Sequence, residues 1–143
     1  MASLLKHSEW SAQDKAEVLA AFRRHYTESL VAGHPYAQHV DFVHGWAQIE
    51  SGAVGTVLVD GYLVVYDVGP TWFCPKPVFT ELMVLRVADR PGYLRHVITA
   101  MEELARAHGC VGIATGDAMG SAVAHAYKRA GYTPVVSQFY KEL

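Results

Sequence analysis

Two cysteines in 143 residues, Cys74 and Cys110, are too few to build a disulfide framework, and they fit no metal-ligand spacing. No apolar run approaches the roughly 20 residues that a bilayer-spanning helix needs. The opening ten residues carry Lys6, His7 and Glu9 where a secretory leader would carry an apolar stretch. Charge of one sign is also scarce. Twelve basic and fourteen acidic residues give a net −2 with no basic stripe, which argues against nucleic acid as a partner. There is no biased tract, no internal repeat and no linker. These absences leave a compact α/β domain spanning residues 1–143, free of metal, nucleic acid and membrane, in a reducing, cytoplasmic setting. A chain this long buries roughly 70% of the surface it exposes when unfolded.

Helix signals open the chain. Ser11 and Asp14 form an N-cap pair, and residues 15–31 repeat apolar side chains at Val18, Phe22 and Tyr26. Gly33 stops this helix. Val40, Val43 and Trp46 suggest a second short helix, which Gly45 weakens. Residues 54–59 are then β-branched and apolar, Asp60-Gly61 is a hairpin turn, and residues 62–68 form the answering strand.

Residues 69–77, with Trp72, Phe73 and prolines, form a loop. The longest β-rich run follows at residues 78–87, apolar on both faces apart from Glu81 and Arg86, as suits a central strand. Tyr93, Val97, Met101, Leu104 and Ala105 form a helical stripe ended by Gly109. Residues 111–114 predict a buried strand, 121–130 a helix and 134–140 a closing strand. That order fits a mixed α/β sheet: N-terminal helices, a β-hairpin, a long central strand, then β-α-β-α-β, with helices on both faces.

The run Ala124-His125-Ala126-Tyr127-Lys128-Arg129-Ala130-Gly131-Tyr132, together with Ser137-x-Phe139-Tyr140-Lys141, resembles the closing part of the GNAT superfamily of acyl-CoA-dependent N-acyltransferases. The resemblance extends over residues 54–143. It implies acetyl transfer from acetyl-CoA to a primary amine by direct attack, with no metal. Tyr127 would then be the acid for the departing thiolate; the alternative is a tyrosine that packs on the sheet. Glu81 would be the base, reached through water; the alternative is a carboxylate facing solvent or paired with a cation. A hydroxyl of pKa near 10 suits a thiolate of similar basicity, and burial that raises a carboxyl pKa suits a base.

By the same resemblance, the backbone of Leu85, Arg86 and Val87 would hold the pantetheine, and Arg90, Gly92, Tyr93, Leu94 and Arg95 would lie near the pyrophosphate. The family's loop has the form Q/R-x-x-G-x-G/A. Here Gly92 takes the first glycine, Leu94 replaces the second small residue, Asp89 fills the Q/R position, and the loop is about three residues short. Asp89 could cap the very N–H groups that a phosphate needs. A rival reading follows: a non-catalytic GNAT-like component of a larger assembly, such as a phage virion, with Trp10, Trp72 and Phe73 at interfaces. A homodimer is a further expectation for the family. His34, His39, His44 and Asp41 have spacings that do not share one helical face, so they are read as ordinary surface or core residues.

Overall fold

A computed structural model describes residues 4–35, 37–87, 92–116, 121–136 and 138–143. Strand β1 (Leu4–Lys6) leads through a 3₁₀ turn into helices α1 (Ala12–Val31) and α2 (Phe42–Ser51). Strands β2 (Gly55–Val59), β3 (Tyr62–Thr71) and β4 (Cys74–Arg86) follow, then α3 (Leu94–Ala107), β5 (Ile113–Ala114) and α4 (Ser121–Arg129). The five strands lie in sequence order. All neighbours are antiparallel except β4 and β5, which run parallel.

Local chemistry sets these elements. Ser11 Oγ accepts the Asp14 N–H at 3.0 Å while Asp14 Oδ2 accepts the Ser11 N–H at 2.9 Å, a reciprocal cap that starts α1. Asp41 caps α2 through the His44 N–H at 2.9 Å. Gly45, which weakened the prediction of α2, sits where a Cβ would lie 3.3 Å from the Phe22 ring, so its small size lets the two helices approach. Asp60 (φ 50°) and Gly61 (φ 79°) both occupy left-handed backbone, as a two-residue hairpin turn requires.

Strand alternation divides the core in two. Val57, Val59, Val64 and Phe79 face α3 and α4, where they pack with Val97, Met101 and Tyr127. Leu58, Leu63 and Val65 face α1 and α2, where they meet Val18, Ala21 and Ile49. The helices thus cover both faces, as the element order implied.

Three expectations are corrected. Residues 69–77 are not a loop: β3 runs to Thr71 and β4 starts at Cys74, leaving Trp72 and Phe73 as a tight tip. Hairpin pairing overrides the local Gly and Pro signals there, and Pro75 and Pro77 lie before the first β4 residue paired to β5. The strand expected over 111–114 is paired only at Ile113 and Ala114. The closing strand over 134–140 is not formed among the described residues; Ser137 lies outside them. The outer edge of β5 is therefore left without a strand partner among the described residues.

Candidate active site

Beta strand β4 carries an irregularity that shapes the site. Val65 pairs with Met83 and Tyr66 with Glu81, so Leu82 is an extra residue, a β-bulge. Across the bulge the alternation changes phase: Phe79 and Val84 both face α3, five positions apart. A bulge bends its strand and ends regular pairing. On the other side of β4, pairing to β5 is confined to Phe79–Ile113 and Thr80–Ala114. Glu81 is the next residue, at the point where the two strands part.

There the Glu81 carboxylate meets one group from α4 and one from the segment after β5. Tyr127, on α4, donates its hydroxyl to Glu81 Oε2 at 3.2 Å, and the Gly116 N–H donates to the same oxygen at 3.3 Å. Oε1 has no hydrogen-bond partner among the described residues. Burial pushes the Glu81 carboxyl pKa up, partly offset by the two donors. Burial also pushes the Tyr127 hydroxyl up, and the adjacent Glu81 charge adds to that rise. The tyrosine thus stays protonated while the carboxyl is biased toward taking a proton. The two residues read separately in the sequence form one hydrogen-bonded pair.

Tyr127 is held firmly. It is only 4% exposed, its ring lies 5.1 Å from that of Tyr132, and the Tyr132 N–H donates to its carbonyl at 3.0 Å. Gly131, at φ 93°, turns the chain to allow that bond. Beside the pair a cavity of about 780 Å³ opens along β5, lined by Tyr127, Tyr132, Gly116 and Val135 among others.

Leu85 and Val87 are buried, whereas Arg86 points outward, its Nη1 3.2 Å from the Tyr62 hydroxyl that accepts from it. Arg90 and Asp89 fall outside the described residues. Gly92, Tyr93, Leu94 and Arg95 stand at the head of α3, with Arg95 over the Tyr93 ring at 4.4 Å.

That head is occupied from an unexpected quarter. Asp60, in the β2–β3 turn, accepts the Tyr93 N–H at 2.8 Å and meets His96 Nδ1 at 2.7 Å, both through Oδ2. These contacts, the Tyr93 N–H first, hold the Asp60 carboxyl below the usual range. The sequence identified Asp60 only as a turn residue. Its partners are 33 and 36 positions away, and no local pattern signals them.

The Trp72–Phe73 tip is remote from Glu81. Glu81 lies seven positions along β4 from Cys74, roughly 20 Å at strand rise. The two rings, 95% and 70% exposed, pack edge to face on each other. Of the histidines considered for metal, His39 meets Glu142 at 2.6 Å and the backbone of His44 serves the α2 cap.

No protein-family model matches the chain, and no curated protein matches it in sequence. Among solved structures, an acetyltransferase of Trypanosoma brucei superposes with a TM-score of 0.65 at 12% identity, covering 100% of both chains. The fold is that of the GNAT superfamily. An aminoglycoside N-acetyltransferase, AAC(6')-Iy, solved in complex with CoA, shares this GNAT fold with a TM-score of 0.59 at 13% identity, over 99% of this chain and 95% of that one. A transcriptional regulator of Bacillus halodurans C-125 matches over 100% of both chains, with a TM-score of 0.68 at 11% identity. At such identities the likeness concerns the GNAT fold alone, and the activity rests on the site. Among the described residues no helix is long and apolar enough to cross a membrane.

Proposed function

We propose that this chain is an N-acetyltransferase that moves an acetyl group from acetyl-CoA to a primary amine, with Glu81 as base and Tyr127 as acid. The observation that carries the reading is the Tyr127–Glu81 hydrogen bond at the parting of β4 and β5. The opening gives an extended thioester room to lie along the backbone of Leu85, Arg86 and Val87.

Glu81 offers Oε1, unpartnered among the described residues, to the attacking amine, directly or through water, and takes its proton as the C–N bond forms. The C–S bond breaks, and Tyr127 gives its proton to the departing sulfur. The hydrogen bond couples these events. Once Glu81 is protonated, the charge that holds the Tyr127 proton in place is gone, so the tyrosine becomes a better acid at the moment the thiolate forms. Glu81 then releases its proton to solvent and the Tyr127 oxygen takes one back, which resets the pair.

The test is thiol release from acetyl-CoA by the purified protein with a panel of primary amines, polyamines and aminoglycosides included, repeated with Glu81→Gln. Amine-dependent release that Glu81→Gln abolishes supports the reading. Release unaffected by the substitution, or no release with any amine, overturns it.

A second reading draws on the head of α3, where Asp60 takes hydrogen-bonding capacity that a pyrophosphate would use. On that observation the chain is a non-catalytic member of a larger assembly, a virion component for instance, with the exposed Trp72 and Phe73 at an interface. It predicts that no pantetheine thioester binds.

A further inference from the structure

The β2–β3 turn, the end of β4 and the head of α3 form one closed unit. The Val87 N–H donates to the Gly61 carbonyl at 2.8 Å, fixing the turn against β4. Asp60 Oδ2 then engages both the Tyr93 N–H and His96 Nδ1. The main chains are also in contact. A Cβ built on Gly92 would lie 1.8 Å from the Asp60 carbonyl oxygen and 2.9 Å from its carbonyl carbon. The glycine at this position is therefore explained by the approach of a protein turn.

The charges around Asp60 belong to the same unit. His96 and Arg95 face it from α3, and the Arg86 side chain, at the end of β4, is turned to the Tyr62 ring and hydroxyl. A diphosphate brought to the head of α3 would meet a carboxylate of its own sign, already bonded to the N–H and the imidazole. Among the described residues, the splayed region beside Glu81 has no such occupant.

We propose that Asp60 is a donor-specificity residue: the chain takes its acyl donor by the pantetheine thioester and does not read the diphosphate of CoA at the head of α3. The proposal rests on the acetyl-transfer reading above. A donor without nucleotide or diphosphate is then as good a ligand as acetyl-CoA. The carboxylate, through its charge, is what removes the advantage of the larger molecule.

The experiment is calorimetric binding of acetyl-CoA and of S-acetylpantetheine to the wild-type protein and to Asp60→Asn. Asparagine tolerates left-handed backbone, keeps an acceptor for the Tyr93 N–H, and Asn-Gly is a favoured pair for this turn, so the variant folds. In the wild type the two donors bind within about threefold of each other. Asp60→Asn tightens acetyl-CoA by about tenfold and leaves S-acetylpantetheine unchanged. A wild-type preference for acetyl-CoA of about tenfold or more overturns the proposal. So does a substitution that shifts both donors equally, since that marks a purely structural role. If neither donor binds either protein, the acetyl-transfer reading itself falls, and the specificity role with it; binding of both with the wrong preference removes the specificity role alone.

Discussion

Two carboxylates beside one strand behave in opposite ways. Glu81, where β4 leaves β5, is half-buried, keeps one oxygen unpartnered among the described residues and has its pKa raised. Asp60, in the turn packed against the end of β4, spends one oxygen on two donors and has its pKa lowered. The first suits the proton exchange proposed for it; the second stays ionised and joins the β2–β3 turn to α3. A carboxylate at a site is thus a candidate base when desolvation outweighs its hydrogen bonds, and a fastener when its donors dominate.

The largest expected effect tests the first half of that contrast. Glu81→Gln keeps the acceptor for Tyr127 and Gly116 but cannot take a proton, and acetyl transfer falls by about 10²- to 10⁴-fold in kcat. Tyr127→Phe falls by a similar order, and the double variant is no worse than the single ones if the pair acts as a unit. A double variant whose losses multiply separates the two residues.

The fastening region is probed by Gly92→Ala. Its new methyl collides with the Asp60 carbonyl, and the turn and helix must move apart at a cost of about 1–3 kcal/mol, read as a lower denaturation midpoint. An unchanged midpoint shows that the two segments are not tightly joined.

Acidity separates the carboxylates by sign. Because the folded pKa of Asp60 is lowered, its contribution to stability is present above about pH 4 and lost as the pH falls through the folded pKa. Glu81 does the reverse. With its folded pKa raised, the folded chain binds that proton more tightly than the unfolded chain, so stability drops as pH rises from about 4.3 through the folded value. Thermal melts across pH 3–8, an interval set around these values, show the acid-side loss flattened in Asp60→Asn and the loss on rising pH flattened in Glu81→Gln. Transfer activity in the wild type rises with pH through an apparent pKa above that of an ordinary glutamate. The smallest effect belongs to Trp72→Ser: an exposed ring with one aromatic neighbour changes stability by about 0.5 kcal/mol or less and leaves transfer unchanged.

The elements were legible where local chemistry decides them. Ser11 with Asp14 and Asp60-Gly61 each mark a boundary through contacts within four residues, whereas Asp41, which caps α2, was read only beside the histidines. Apolar stripes placed α1 and α3, and Gly131-Tyr132 closed α4 as the sequence pattern implied. What failed was nonlocal. The β3–β4 hairpin runs through glycine and proline because its two strands support each other, a pairing that no single segment reveals. The bulge at Leu82 was masked because β4 is apolar on both faces, so a change of phase leaves no trace in the pattern. Glu81 and Tyr127 were each identified by type and position, but their meeting depends on β5 ending its pairing one residue before Glu81. Asp89, the expected cap for α3, lies outside the described residues; Asp60, 33 residues before Tyr93, accepts an N–H at that helix head, a contact no local pattern signals.

Leu82 carries a consequence of its own. The width of the opening is set by a count of residues: one strand holds one more than its neighbour requires, and the surplus is spent as curvature. Remove that residue and β4 from Val78 onward becomes a ribbon of even pitch, free to zip onward along β5 toward Gly116. The groove would close with both Glu81 and Tyr127 still present, and the proposed transfer would stop by arithmetic with its side chains intact.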